Sequence, residues 1–318
     1  MGYQPSEPIL VPPLYSWPPR PVAAFRWLIF EMLFPWGLCW IALAFISWNY
    51  LTPSEQTMAV LEPDWIGMIW LRNAALLLLV AGGLHWWLYL RRSQKRDFKY
   101  NTRWQSEGSQ KFLWKNQVKD NMFWSLISGC TIWTLFESLT HWFRISGHLL
   151  LPEWVHSPGY LVLMLYSVFF WNTFHFYVVH RLLHWPPLYR IAHELHHRNV
   201  NAGPWSGISM HPLEHLVYFS VFLLWWVVPV HPVIILLTGF FQGLSLAVSH
   251  SGFDQLTLSA SKKVRVGDHF HHLHHKYFEV NYGNTPTPLD RVFGSWHDGT
   301  TAAHALMKCR KRLVQNLG

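Results

Sequence analysis

Charged side chains are scarce in this sequence. Only 13% of its 318 residues are Asp, Glu, Lys or Arg, against about 25% in typical soluble domains. Aromatic residues are instead abundant, at 17%, and include 21 Trp, a residue that concentrates at membrane–water interfaces. The formal net charge of +8 does not indicate a nucleic-acid partner, because the basic residues flank apolar segments. The composition predicts an integral membrane protein.

Cysteine pairs and the common catalytic motifs are also missing. The three cysteines, Cys39, Cys130 and Cys309, lie far apart, so they form neither a CxxC metal site nor a disulfide framework. The sequence has no GxSxG, P-loop or GxGxxG pattern, which leaves serine-hydrolase and nucleotide-binding functions without support. The first 20 residues contain six prolines and no early apolar run, so we expect no cleavable signal peptide.

Long apolar runs predict the topology. We expect four transmembrane helices, at residues 27–50, 65–90, 122–142 and 158–179. Residues 216–249 are also apolar but contain Pro229 and Pro232 near their middle, which favours a helical hairpin with short arms. Loop 91–120 carries nine Lys and Arg residues, as cytoplasmic loops do. The predicted fold is all-α: about four transmembrane helices, a membrane hairpin and a cytosolic helical cap that carries the histidines.

Histidines occur in three short clusters, HRLLH, HELHH and HHLHH. If each cluster is helical, residues three and four apart share a face, and each cluster presents a row of imidazoles. The rows are His180 and His184; His193, His196 and His197; and His271, His274 and His275. Neutral imidazole suits iron, zinc, copper and nickel. Together with His211 and His250, the rows predict a site for two metals with coordination positions left open.

A histidine-lined metal transporter and a bis-histidine haem protein are the alternatives. A transporter needs ligands at mid-membrane depth, whereas these clusters follow the ends of predicted spans, and a haem needs only one histidine pair. The nearby acids are Glu194, Glu214, Asp254 and Asp268. They do not supply Glu-x-x-His motifs on two facing helices, as carboxylate di-iron bundles do, so they either fix imidazole tautomers through hydrogen bonds or are surface groups.

The clusters resemble those of the membrane-bound fatty acid hydroxylase superfamily, which includes the sterol desaturases. The resemblance covers about residues 160–300 and includes His211-Pro212, His250-Ser251-Gly252, Asn281-Tyr282-Gly283 and LDRVFGSW at 289–296. It implies nine metal ligands, namely His180, His184, His193, His196, His197, His250, His271, His274 and His275, with His211 as a further candidate. Asp254 is a departure, because some fatty acid 2-hydroxylases have a histidine there.

The same resemblance implies a non-haem di-iron oxygenase that uses O₂ to hydroxylate or desaturate a lipid C–H bond on the cytosolic face of the membrane. The substrate would be a sterol-like or fatty-acyl lipid, or alternatively a bacterial amino-acid-containing lipid such as ornithine lipid. Electrons would come from an external ferredoxin or cytochrome, whose acidic surface would suit the basic cytosolic face. Zinc, which binds such sites more tightly than iron, is expected to replace it on purification.

The resemblance also divides the chain into regions. They are a proline-rich tail (1–26), an N-terminal transmembrane region (27–157), a fatty acid hydroxylase-type catalytic region (158–300) and a basic C-terminal tail (301–318). No catalytic residue is predicted beyond the metal ligands. The candidates for holding those ligands in place are Glu214, Asp254, Asp268, Asn281 and Tyr282.

Overall fold

Helices dominate the computed structural model, which describes residues 2–149 and 151–317. In chain order the helices are α1 (Pro21–Leu33), α2 (Trp36–Tyr50), α3 (Glu55–Met58), α4 (Pro63–Leu90), α5 (117–145), α6 (Pro158–Leu183), α7 (186–197), α8 (Pro212–Phe219), α9 (Pro232–Ser249), α10 (His269–Tyr277), α11 (Leu289–Val292) and α12 (Thr301–Leu317). Short 3₁₀ segments lie at Pro13–Tyr15, Leu113–Lys115, Glu153–His156, Pro204–Ser206 and Ser220–Trp226. Two three-residue strands, β1 (Gln255–Thr257) and β2 (Lys263–Arg265), pair antiparallel with Leu256 opposite Val264.

The membrane-crossing helices agree in part with the predicted spans. Among the described residues, α4, α6 and α9 are long and apolar enough to cross a membrane, and α1 with α2 makes a fourth if this bent pair is one span. The pair bends by 59° at Pro35, a residue that cannot continue a helical hydrogen-bond ladder. The predicted third span corresponds to α5, which carries Glu137 and Arg144 and is not among these apolar helices.

The predicted hairpin over 216–249 is present, with unequal arms. Its first arm consists of α8 and the turn Ser220–Trp226, and the chain reverses before α9, which begins at Pro232. Of the apolar stretch of α9, 78% is buried, because α9 packs against α2, α5 and α6. This helix is therefore the centre of the bundle.

Small residues on α9 allow this close packing. The indole of Trp133, on α5, lies against Gly239 and Gly243, one turn apart on α9. A Cβ added at Gly239 would lie 2.4 Å from Trp133 Nε1, and one added at Gly243 would lie 2.6 Å from its Cζ3. Since no real carbon approaches so closely, both positions require glycine.

A buried polar network joins α4 to α5. Arg72 donates a hydrogen bond to the carboxylate of Glu137, and Asn73 Nδ2 donates to the other oxygen of that carboxylate at 3.1 Å. All three side chains are buried. Charged groups inside a membrane bundle are normally paired in this way, so the network explains how α5 tolerates an acid.

The basic loop 91–120 folds onto the histidine-bearing end of the bundle. The amide of Asp254 donates to the main-chain oxygen of Phe98 at 2.8 Å, and Gln117 Nε2 donates to Asn199 Oδ1 at 2.9 Å. The loop and the histidine clusters are therefore on the same side of the membrane helices.

Packing at Gly239 gives a first prediction. Gly239→Ala should lower the free energy of unfolding by about 1–3 kcal/mol, because the new methyl group overlaps the Trp133 indole. Gly67→Ala is the matched control, since Gly67 lies in α4 with open space around its Cβ position; it should leave stability unchanged or raise it by up to ~1 kcal/mol. Denaturant unfolding in detergent measures both. Equal effects of the two substitutions would contradict the packing argument.

Candidate metal centre

Nine histidines form two groups at one end of the bundle. The first group is His180, His184, His193, His197 and His274, and the second is His196, His250, His271 and His275. In each group, one ring nitrogen of every member lies within 4.8 Å of those of the others. His184 is half-buried and the other eight are buried. The structure thus places together all nine histidines that the family resemblance implies as ligands.

Four elements supply these side chains. The first cluster lies on the last turn of α6 and the residue that follows it, the second lies on α7, and the third lies on α10. His250 directly follows α9. The start of α10 is fixed by Asp268, whose Oδ1 accepts a hydrogen bond from the His271 amide at 3.2 Å, a helix N-cap contact.

The predicted rows are divided between the two groups. Residues four apart differ by only about 40° around a helix, and His193 and His197 accordingly share the first group. Adjacent residues differ by about 100°, so His196 reaches the second group. In α10, His274 likewise lies in the first group while its row partners lie in the second. The rings of His193 and His196 are nevertheless stacked with centres 5.6 Å apart, and those of His271 and His274 with centres 5.5 Å apart, so the predicted rows share a face although two groups divide them.

Three Nε2 atoms in each group form a tight triangle. Those of His184, His197 and His274 are 3.1–3.2 Å apart. Those of His250, His271 and His275 are 3.1–3.3 Å apart. In a given tautomer each Nε2 either donates or accepts, so three cannot all pair with one another. The centre of each triangle is about 1.8 Å from its corners, close to the roughly 2.0–2.1 Å of a zinc–imidazole bond.

Further ring nitrogens lack partners. Nε2 of His180 and Nε2 of His193 are buried with no hydrogen bond among the described residues, a situation that costs roughly 1–3 kcal/mol per atom. Burial lowers the pKa of His196 to about 4 and the pKa of His250 to about 3. The rings are therefore neutral at pH 7, which is the form that binds metal. This donor set fits a divalent first-row metal such as iron or zinc in each group.

Contacts behind the rings orient them. His180 Nδ1 donates to the main-chain oxygen of Tyr282 at 2.5 Å, and His193 Nδ1 lies 2.7 Å from Oε1 of Glu214. Burial raises the pKa of Glu214 and lowers the pKa of His193, so burial disfavours the charged form of each group. A proton held at Nδ1 leaves Nε2 free as a metal ligand.

The other predicted supporting residues act at a greater distance. Asn281 Nδ2 donates to the main-chain oxygen of Phe270 at 3.0 Å and thereby holds the loop after α10. Asp254 Oδ1 accepts from the Tyr100 hydroxyl at 2.8 Å, and Tyr100 stacks on His272 with ring centres 4.5 Å apart. Asp254 is therefore separated from the ligands by two aromatic rings.

His211 and its neighbour His215 lie outside both groups. His211 Nδ1 accepts from the Leu213 amide at 3.2 Å and caps α8. His215 Nδ1 lies 2.9 Å from Ser128 Oγ, and His215 Nε2 lies 3.0 Å from the main-chain oxygen of Ile208. Both histidines thus make contacts within the fold instead of facing the metal groups.

Two supporting residues were not predicted. Buried Asp290 accepts hydrogen bonds from the amides of Tyr282 and Gly283 at 2.8 and 2.7 Å, and so holds the turn whose carbonyl faces His180. In the sequence, Asp290 is distinguished only as the single acidic residue of LDRVFGSW. The other residue is Val280, whose main-chain oxygen accepts from His274 Nδ1 at 2.7 Å; a backbone contact of this kind leaves no trace in the side-chain pattern.

An apolar chamber of about 270 Å³ adjoins the second group. Three ligands, His196, His250 and His271, form part of its wall. Aromatic side chains form much of the remainder: Trp36, Trp40, Phe169, Phe176, Tyr218 and Phe241. The chamber lies between α2, α6 and α9, next to the metal groups on their membrane side. It can accept part of an apolar ligand.

Comparison with known proteins agrees with this site. Residues 165–295 match the family described as fatty acid hydroxylase. The Delta(7)-sterol 5(6)-desaturase of Eremothecium gossypii is 30% identical over 164 residues, which are 49% of this chain and 46% of that protein. The corresponding enzyme of Saccharomyces cerevisiae is 32% identical over 142 residues, 44% of this chain and 38% of that one. Methylsterol monooxygenase 1 of Gallus gallus is 32% identical over 149 residues, 45% and 50% of the two chains. No solved structure matches.

The fold and the site define a helical membrane protein with two buried all-histidine groups. Through residues 165–295, which are less than half of the chain, the protein is similar to the fatty acid hydroxylase family and to sterol desaturases. The matched residues include all nine histidines of the two groups. The alignments with these relatives span about half or less of each relative's own length.

The contact behind His193 gives a second prediction. Glu214→Leu should weaken metal binding about 10–100-fold, as loss of the group behind a ligating histidine typically does. Glu194→Leu is the matched control, because Glu194 follows His193 directly in α7 but is exposed; it should bind metal like the wild type. Competition with a chelator of known affinity measures both variants. Equal affinity in the wild type and Glu214→Leu would show that this contact does not support the site.

Proposed function

We propose that this protein is a membrane-bound oxidoreductase that hydroxylates or desaturates a C–H bond of a lipid, with one iron ion in each histidine group. The observation that carries the proposal is the position of the second group, which forms a wall of the apolar chamber. A substrate seated in this chamber would have an apolar segment next to the metal ligands.

The ligand set would be the nine histidines of the two groups. Bound iron would supply the oxygen chemistry, with O₂ as co-substrate. The protein would supply orientation and the exclusion of water, since aromatic side chains form much of the chamber wall. Glu214 and the Tyr282 carbonyl would keep His193 and His180 in the tautomer that binds metal. Zinc would compete for the same nitrogens.

A sterol-like substrate is favoured by the relatives, which are sterol desaturases and a methylsterol monooxygenase. A fatty-acyl lipid and an amino-acid-containing lipid such as ornithine lipid are the alternatives. The shape of the chamber does not distinguish a ring system from a chain, so the preference for a sterol-like substrate rests on the relatives. The catalytic region would be residues 158–300, which include the matched segment.

The metal site would face the cytosol. The basic loop 91–120 lies on the same end of the bundle as the histidines, and loops rich in Lys and Arg remain in the cytoplasm. An external ferredoxin or cytochrome would supply electrons at this face. Its acidic surface would be attracted to the exposed basic residues of the loop.

Lipid analysis tests the proposed activity. Cells that express the wild type should contain a lipid that differs by one added oxygen, or by loss of two hydrogens, from a lipid in cells that express His196→Ala. This variant removes a ligand that also lines the chamber. Mass spectrometry of total lipid extracts would identify both substrate and reaction. Identical lipid profiles would refute lipid oxidation as the function.

Metal content tests the ligand set. The wild type should bind about two metal ions per chain, and His271→Ala should retain about one, because it loses a corner of the second triangle. His272→Gln is the matched control: His272 is adjacent on α10 but belongs to neither group, and its variant should retain both ions. Inductively coupled plasma mass spectrometry of purified protein gives the ratio. Equal losses in the two variants would contradict the assignment of His271 as a ligand.

A further inference from the structure

A buried amide lines the chamber beside the second histidine group. Asn172, on α6, is fully buried and forms part of the chamber wall. Its Nδ2 donates to the main-chain oxygen of Thr238 at 3.5 Å. Its Oδ1 is buried and has no hydrogen-bond partner among the described residues. The wall therefore contains a neutral acceptor that the protein leaves unpaired.

The buried side chains of Tyr218, Gln242 and Thr173 in the same wall are paired. The Tyr218 hydroxyl donates to the main-chain oxygen of Gln242 at 3.0 Å, and Gln242 Nε2 donates to the main-chain oxygen of Tyr218. The hydroxyls of Thr173 and Thr287 are 2.5 Å apart. An unpaired acceptor at such a position is costly and calls for an explanation such as a ligand.

We propose that Asn172 Oδ1 accepts a hydrogen bond from a hydroxyl or N–H group on the lipid that occupies the chamber. This inference rests on the proposed function, since it concerns the substrate of the same site. The substrate is accordingly a lipid whose apolar body carries a hydrogen-bond donor. An ether, a ketone or a plain hydrocarbon at that position lacks the donor and leaves Oδ1 unpaired.

The position of Asn172 also separates recognition from reaction. Asn172 precedes His180 by eight residues on the same helix, which is about 12 Å along the axis. The donor group would thus bind deeper in the bundle than the metal ligands. The carbon that reacts is on another part of the lipid, nearer the histidines.

The chamber is long enough for such a lipid only together with its neighbouring groove. Met32, Phe169 and Phe241 belong both to the chamber wall and to a groove of about 1350 Å³ beneath the N-terminal segment 5–17. The Tyr15 hydroxyl holds this segment over the groove by donating to the main-chain oxygen of Pro286 at 2.7 Å. The remainder of a long lipid can extend from the chamber into the groove.

Binding of matched alcohol and ether probes tests the proposal. The probes are tritiated cholesterol and its methyl ether, and tritiated 1-hexadecanol and its methyl ether, bound to purified full-length protein in detergent. In at least one pair the wild type should bind the alcohol about fivefold or more tightly than the ether, as one additional hydrogen bond predicts. Asn172→Leu, which has a similar volume but no acceptor, should bind both members equally.

Two further variants separate recognition from folding. Asn172→Asp keeps an acceptor oxygen of the same shape and should retain the preference for the alcohol. Asn49→Leu makes the same substitution at an exposed asparagine on α2, whose Nδ2 donates to Phe45 O, and should also retain it. Absence of a preference in both probe pairs for the wild type, or an unchanged preference in Asn172→Leu, would overturn the proposal.

The result is independent of the proposed oxidation. Binding is measured without turnover, so a protein that oxidises no lipid can still show the alcohol preference. Conversely, an active enzyme without this preference would refute only the role of Asn172.

Discussion

Nine neutral imidazoles share one small buried space, and the rest of the structure depends on how their nitrogens are satisfied. Burial removes the water that would otherwise pair with these nitrogens, and the Nε2 triangles cannot pair among themselves. Metal ions at the two triangles would resolve both problems. The Tyr282 carbonyl fixes the orientation of the His180 ring, and the Glu214 carboxylate fixes that of the His193 ring. Asp290 in turn holds the turn that carries the Tyr282 carbonyl.

The position of the site follows from the same requirement. Imidazoles and their partners are polar, so they lie where the helices end and loops begin. The apolar chamber lies on the membrane side of the second group, between helices that pack around α9. Among the polar side chains of that wall, Asn172 has an unpaired oxygen, which is the basis for assigning a polar group to the proposed substrate. The candidate metal groups and the chamber thus occupy adjacent layers of one bundle.

Local patterns predicted much of this arrangement. Apolar runs indicated the helices of the bundle, Pro35 indicated the bend after α1, and the cluster spacing with the family resemblance indicated the ligands. Two features lay beyond these patterns for physical reasons. The helix α5 can carry Glu137 because Arg72, on another helix, pairs with it. His196 and His274 join a different group from their row partners because adjacent helical residues diverge by about 100°, and spacing alone does not say which group each residue reaches.

The sequence by itself determined the class of protein and the nine histidines, because hydrophobic length, helical periodicity and short motifs act over a few residues. Only the tertiary structure decided which histidine joins which group, that His211 caps a helix instead of facing the metals, and that Val280 and Asp290 support the ligands. These outcomes depend on contacts between segments up to about a hundred residues apart, such as His180 with Tyr282. No local pattern contains such contacts, because they form only when the packed helices bring the segments together.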